Sequence, residues 1–462
     1  VTALEEGARV AILERAPPED RGGNSRWTDA FMRMKSETEV ADDFESHFAE
    51  NARSHLDPEL VAETARDYDS WSGIVRSLSF ADPELIASFA EAAGPTLGWL
   101  KGFGIRFDFL PSYLLTQSTT RIAPIGGGLA LVEALAETAE AKGADFHYRT
   151  TAQSLIQGDD GAVVGLTATG ARNRTRHFRA RGTVLASGGF QGNPEMLAHY
   201  LGPNARYLRP VARGGYYNKG EGVRMALALN AAPAGDYSDF HAEPVDPRSG
   251  RHEPIVLAFP YGILVNREGQ RFVDEASGMV DAIYEEVTRQ INRQPGGIAY
   301  VVLDAGIDDV AGWQRSVRSD QPPIEADDLG ALAEKLEIPS DALADTVARY
   351  NAACTEGDFD PFALDGLAAS GLVPAKSNWA RPLERPPFKA FPIIAANCFT
   401  FGGLKTDSEA RVLNMDGEVI PGLYAAGETM GLYHNVYTGA TSVLRGAVFG
   451  RIAGRHASRP SN

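Results

Sequence analysis

Cysteine is nearly absent from this 462-residue chain, which has only Cys354 and Cys398. Two thiols cannot hold a four-thiolate iron–sulfur cluster, and no C-x-x-C-H occurs for an attached c-type haem, so any electrons collected here leave on another molecule. Long apolar runs are lacking too. No stretch of about 18 uninterrupted apolar residues exists to cross a bilayer as a helix, so no integral membrane segment is expected. Positive charge is in deficit: 44 Lys and Arg against 61 Asp and Glu give a formal net charge of −17. That balance argues against nucleic acid or an anionic membrane as partner, while a local arginine cluster can still bind a carboxylate. There is no internal repeat or low-complexity tract, and no metal site is read. Apolar content of 44% with 23% charged residues is that of a soluble globular protein, and the length exceeds what one core usually organises. Two domains are expected.

The most informative stretch runs from Pro421 to Arg451, PGLYAAGETMGLYHNVYTGATSVLRGAVFGR. Leu423 to Ala426, bounded by Pro421 and Gly427, reads as a strand buried on both faces. Glu428 then falls in the crevice where open α/β sheets bind ligands, and can accept hydrogen bonds from ribityl or ribose hydroxyls. Gly439, Ala440, Thr441, Ser442 and Val443 open the last helix. Small residues there admit a flat ring, and a helix N-terminus offers N–H donors to a developing anion such as a reduced flavin.

From the start, VTALEEG reads as the end of a helix, and Ala8 to Glu14 as a strand ending in an acid placed to accept ribose hydroxyls. No G-x-G-x-x-G precedes Glu14, so the chain is expected to begin after a first strand and phosphate loop, and as it stands to hold a dinucleotide weakly. Gly22, Gly23, Asn24, Ser25 and Arg26 form a polar, glycine-rich loop able to lie along a pyrophosphate or under a ring. Helical patterns follow at Asp43 to Ser54, Pro58 to Ser77 and Asp82 to Phe103. Gly126, Gly127 and Gly128 lead into an amphipathic helix ending at Gly143. Strands are expected at Phe146 to Thr150, Ala162 to Ala168, Arg176 to Ala180 and Thr183 to Ala186. Ala186, Ser187, Gly188 and Gly189 then let backbone pack on the nucleotide. Another helix starts near Asn218 and Gly220. The predicted class is α/β: a Rossmann-like FAD-binding domain lacking its first strand, in two parts over 1–236 and 398–462, with an α+β capping domain over 237–397. RPLERPPFKAFP reads as a hinge or strap back to the nucleotide domain.

Four motifs in order, GARVAILERAPPEDRGGNSR, GTVLASGGF, GILVNREGQRFVDE and the closing stretch, resemble the fumarate reductase and succinate dehydrogenase flavoprotein superfamily over nearly the whole chain. RIAPIGGGLALVEALAE, DFHAEPVDPRSG and YHNVYTGATS resemble its tricarballylate dehydrogenase branch. The resemblance implies FAD, with Arg15, Ala152 and Gly402 added to the residues around it. Some members attach the cofactor through a histidine in the glycine-rich loop; none occurs between Val1 and Thr38, so non-covalent FAD is expected. The implied reaction moves two hydrogens across a C–C bond beside a carboxylate or carbonyl of a small-molecule acid or enone. Electrons would pass to or from a separate protein, a quinone or O2, and the expected location is cytoplasmic.

His241 matches a histidine that fumarate reductases set against a substrate carboxylate, and His434 and Asn435 fall in the closing loop. The chain also departs from the pattern. Ala276 to Tyr284 lacks the family's proton-donating arginine, Arg271 reads as an ion-pair partner of Asp274 or Glu275, and Tyr437 stands where a second arginine clamps substrate. Cys398 or Phe399 replaces a histidine. A larger or less charged substrate is therefore expected, with His241, Tyr284, His434 and Tyr437 as the catalytic set; tyrosine in that role resembles ketosteroid dehydrogenases. Enone chemistry, a flavin monooxygenase component and a catalytically degenerate flavoprotein stay open as alternatives.

Overall fold

The computed structural model describes residues 1–52, 55–109, 121–170 and 173–459. Strand β1 (Ala11–Leu13) is followed by helices α1 (Phe44–Ala52), α2 (Pro83–Lys101) and α3 (Gly127–Ala141), and then by β2 (Asp145–His147). β1 and β2 pair in parallel, Ile12 beside Phe146, as expected of strands joined by a helical crossover. Helix α2 begins where its sequence says it should: the Asp82 carboxylate accepts from the N–H groups of Glu84 and Leu85, and Pro83 occupies the first turn. Its Leu85, Phe89, Leu97 and Leu100 are buried, and Phe89 meets Phe44 of α1 edge-on at 5.0 Å.

A three-stranded antiparallel sheet follows, β3 (Thr151–Gln157), β4 (Val163–Thr169) and β5 (Thr175–Arg179), then β6 (Thr183–Leu185) and helix α4 (Glu221–Leu227). The sequence suggests one strand from Phe146 to Thr150, whereas the chain turns at Arg149, where φ is +51°, and β3 starts at Thr151. TAQSLIQ does not read as a strand because its polar residues break the alternation that marks a half-buried strand.

The middle of the chain builds a six-stranded sheet. β7 (Phe240–Val245), β8 (Ile263–Asn266), helix α5 (Val280–Asn292), β9 (Ile298–Leu303), β10 (Ile324–Ala326), helices α6 (Leu329–Leu336) and α7 (Ser340–Ala353) and β11 (Phe388–Thr400) make it up. The sheet order is β7-β11-β9-β8, with β10 and Arg209–Pro210 also pairing with β11. Two apolar cores flank it, one holding Phe259, Val287, Ile291 and Trp379, the other Leu332, Leu343, Val347 and Tyr350. The segment read as a strap thus ends in the sheet's 13-residue central strand. Its prolines hid FKAFPIIAANCFT, which is buried almost throughout and so shows no alternation. β12 (Arg411–Leu413) and β13 (Val419–Ala425) complete a sheet of order β12-β13-β6, and helix α8 (Ser442–Ser458) closes the fold. The architecture is α/β with mixed sheets. Among the described residues no helix is long and apolar enough to cross a membrane.

Candidate active site

The glycine-rich segments meet at the C-terminal ends of β1 and β6. Gly22, at φ +99°, starts a short 3-10 turn over Gly23–Arg26. A Cβ on Gly128 would lie 1.6 Å from the Ser25 carbonyl oxygen, so α3 can reach this turn only with glycine there, while Gly126 and Gly127 take the left-handed conformation that starts the helix. Arg26 pairs with Glu133 of α3, and Arg21 reaches the same carboxylate at 2.5 Å, so these cations brace the turn. The Glu14 carboxylate accepts from the N–H of Ala16 at 2.8 Å and of Gly22 at 3.2 Å, and Arg15 pairs with Glu221 at the start of α4.

Past β6, Ala186 and Ser187 are exposed, Gly188 lies against Asn218, and Gly189 against Thr400 and Glu428. Gly220, left-handed at φ +78°, caps α4, and Ala152 lies half-buried on β3. Glu428 accepts from Thr400 N–H at 2.7 Å, Gln191 Nε2 at 3.1 Å and Asn218 Nδ2 at 3.4 Å, while burial raises its carboxyl pKa. Gly402 is buried under the Tyr237 ring.

The second cluster lies between β7, β11, α5 and the closing loop. His241 is buried, with Nδ1 3.3 Å from Glu285 and Nε2 3.4 Å from the Tyr284 hydroxyl. Its ring stands 4.4 Å from that of Tyr437, and Phe399, Phe401 and Tyr433 complete an aromatic wall. A bulge between His241 and Ala242 leaves Cys398 opposite no residue of β7 and brings its thiol to Glu243. Burial pushes the Glu243 carboxyl up, the Glu253 carboxyl well up, and the Cys398 thiol well up; it also raises the Tyr284 phenol well above its usual range, with the Glu243 and Glu285 charges adding to the effect. His241, Glu243 and Cys398 offer atoms within 4.8 Å of one another, but a thiol held protonated is a poor metal ligand.

The structure thus brings His241, Tyr284 and Tyr437 together. His434 instead lies under the charges of Asp236 and Lys405 and beside the Phe80 backbone, with its pKa lowered chiefly by burial. The Tyr437 hydroxyl accepts from the N–H groups of Thr441 at 2.9 Å and Ser442 at 3.0 Å and donates to Ser442 Oγ at 3.1 Å, so the helix donors expected to face a ring are engaged by this phenol.

Residues 1–444 match the family model of the FAD binding domain. The chain belongs to this FAD-binding family. It is 27% identical to the NADH:acrylate oxidoreductase of Vibrio harveyi over 99% of its own length, and it spans about half of that protein, 49%. Among solved structures it resembles the open conformation of a flavocytochrome c3 fumarate reductase, with TM-score 0.72 and 25% identity, covering 99% of this chain and 75% of the other. It also resembles the 3-ketosteroid-Δ4-(5α)-dehydrogenase of Rhodococcus jostii RHA1 in complex with 4-androstene-3,17-dione, with TM-score 0.66, 25% identity and coverage of 99% and 93%.

The residues present fit FAD. Glycines at 22, 188 and 189 let backbone near the ends of β1 and β6 pack close against Val132, Asn218, Thr400 and Glu428, at the kind of strand-end junction where α/β sheets take nucleotides. Beside it, Asn24 Oδ1 and Gln191 Oε1 are buried acceptors without a hydrogen-bond partner, which a donor on a flat heterocycle would satisfy.

Sequence reasoning missed Glu285 and Arg289. They sit one turn apart on α5, and Arg289 contacts Glu285, Asp239 at 2.9 Å, and the carbonyls of Phe240 at 3.1 Å and Asn435 at 2.8 Å. The signal was an i,i+4 carboxylate–arginine pair, which on sequence alone reads as an ordinary solvated helix face. Arg271 behaves as read, pairing with Glu275 at 2.6 Å.

Proposed function

We propose that this protein is an FAD-dependent oxidoreductase that reduces a C=C bond adjacent to a carboxylate or carbonyl, or runs the reverse dehydrogenation, with FAD held non-covalently. The observation that carries this reading is the hydroxyl of Tyr284 at 3.4 Å from His241 Nε2, with Glu285 at 3.3 Å from Nδ1. Glu285, 3.3 Å from Nδ1, sets a negative charge beside that side of the imidazole, while Nε2 faces the phenol. Tyr284, kept protonated by burial, would give its proton to the carbon beside the carbonyl; because the same burial disfavours the tyrosinate, the phenol must be reprotonated in the same step by an imidazolium at His241, whose charge Glu285 balances. FAD, when bound and reduced, supplies the electron pair and the second hydrogen. The aromatic wall excludes water and offers a flat apolar surface to a conjugated substrate.

The acrylate and fumarate reductases support a carboxylate beside the double bond, the steroid dehydrogenase a ketone. The tricarballylate-like motifs keep a tricarboxylate, oxidised rather than reduced, within the same class. The deciding experiment is anaerobic: the holoprotein is reduced with dithionite, mixed with acrylate, fumarate, but-3-en-2-one or a cyclic enone, and followed by flavin absorbance, with tricarballylate tested against oxidised protein. The reading predicts rapid reoxidation by at least one conjugated acceptor. If none reacts faster than buffer and tricarballylate leaves the flavin oxidised, the reading is wrong.

A further inference from the structure

Resting on that reading, the geometry points to Arg121 as the residue that binds a carboxylate of the substrate, which makes the protein selective for unsaturated acids over neutral enones of the same size. The arginines around the cluster differ in what they already hold. Arg289 is engaged by two carboxylates and two carbonyls. Arg318 pairs with Asp29 at 3.0 Å and Glu253 at 3.2 Å, Arg33 with Asp43, and Arg445 donates to the Met430 carbonyl at 3.0 Å beneath the Tyr433 ring. Arg121 contrasts with all four. Its nearest carboxylate among the described residues is Asp281 at 3.9 Å, too far for a hydrogen bond; its Nε is buried without a hydrogen-bond partner, as are those of Arg289 and Arg445, whose terminal nitrogens are engaged.

Its position suits the role. A Cβ at Gly439 would come within 3.4 Å of the Arg121 Nη2, so the guanidinium lies over the turn that opens α8, while Arg33 Nη1 reaches the Gly439 carbonyl at 3.4 Å. Asp281 and Tyr284 are one turn apart on α5, and the Arg121 charge bears on the Tyr284 phenol. Arg121 therefore lies near both the closing turn and the proposed proton donor, with its side chain 27% exposed and accessible from solvent. A planar guanidinium with unused N–H groups can take a carboxylate through two parallel hydrogen bonds. A carboxylate held there places the double bond of a short acid towards Tyr284, whereas a ketone would leave the guanidinium with Asp281 at 3.9 Å and no hydrogen-bonded anion in a partly buried site.

The test compares wild type, Arg121→Gln and Arg121→Lys in two assays. Steady-state turnover of acrylate is set against but-3-en-2-one, which replaces the carboxylate by a methyl ketone. Equilibrium binding of the saturated acids propionate and succinate to the oxidised holoprotein is measured by calorimetry. Arg121→Gln should raise the acrylate KM ten- to a hundredfold and weaken acid binding equally, while but-3-en-2-one changes less than threefold and Arg121→Lys falls between. Equal losses for both acceptors, unchanged acid binding in Arg121→Gln, or a wild type that binds no carboxylate would each overturn the assignment. If wild type binds acids through Arg121 yet reduces no C=C compound, the anion site stands and the catalytic reading fails.

Discussion

His241 and Tyr284 meet across the junction of β7 and α5, Nε2 to hydroxyl oxygen at 3.4 Å, although 43 residues separate them in the chain. The hydroxyl is the only part of Tyr284 that phenylalanine lacks. Tyr284→Phe should slow flavin reoxidation by the best acceptor by about 10²- to 10⁴-fold, with FAD content and melting temperature nearly unchanged. Stopped-flow absorbance checks this, and a rate within threefold of wild type would remove Tyr284 from the proton step.

Tyr437 has a different task in the structure. Its oxygen takes two N–H groups at the start of α8. Tyr437→Phe leaves both without that acceptor, and the expected cost is about 1–3 kcal/mol in denaturant unfolding, with the reoxidation rate altered less than tenfold. A stable variant with a rate down a hundredfold or more would move the proton step to Tyr437.

Glycine at 128 is set by a backbone contact that has no room to yield. Gly128→Ala brings Cβ to 1.6 Å from the Ser25 carbonyl and forces α3 away from the turn at Gly23–Arg26. The variant should unfold about 1–3 kcal/mol more easily and release FAD more readily, read by flavin fluorescence during dialysis. Gly98→Ala is the control: nothing lies within 4 Å of a Cβ in the interior of α2, so stability should hold or rise by up to about 1 kcal/mol.

Asp239 supplies a pH dependence with a defined sign. Burial lifts its pKa from 3.8 to about 7, against the opposing charge of Arg289. The folded protein thus holds this proton more tightly than the unfolded chain. Wild type should lose stability relative to Asp239→Asn as pH rises from about 4 to 7, by roughly 2–4 kcal/mol, and stay level above that. Unfolding both proteins between pH 4.5 and 8 checks this. A gap moving the other way would mean that Arg289 over-compensates the burial.

How much of this could be read in the chain depends on the range of the interaction concerned. Glycines at 22, 126, 188 and 220 mark turns because left-handed φ is a local requirement, and Asp82 with Pro83 marks a helix start for an equally local reason. β3 and β11 were obscured, one by polar residues and the other by prolines and continuous burial. At the site, His241 and Tyr437 were legible as candidates through their motifs. That Tyr437 would cap α8, and that His434 would lie beside Asp236 and Lys405, was not.

The sequence by itself determined the order of its nucleotide-binding motifs, the places where backbone must come close without side chains, and the redox class those motifs resemble, because each is written in residues close together along the chain. Tertiary structure alone decided which polar groups share the cleft. Glu285 and Arg289 reach His241 and Asn435 because α5 packs across β7 beside the closing loop, joining segments up to 146 residues apart. Helical periodicity says which residues share a face, but what that face meets depends on how distant elements pack around it.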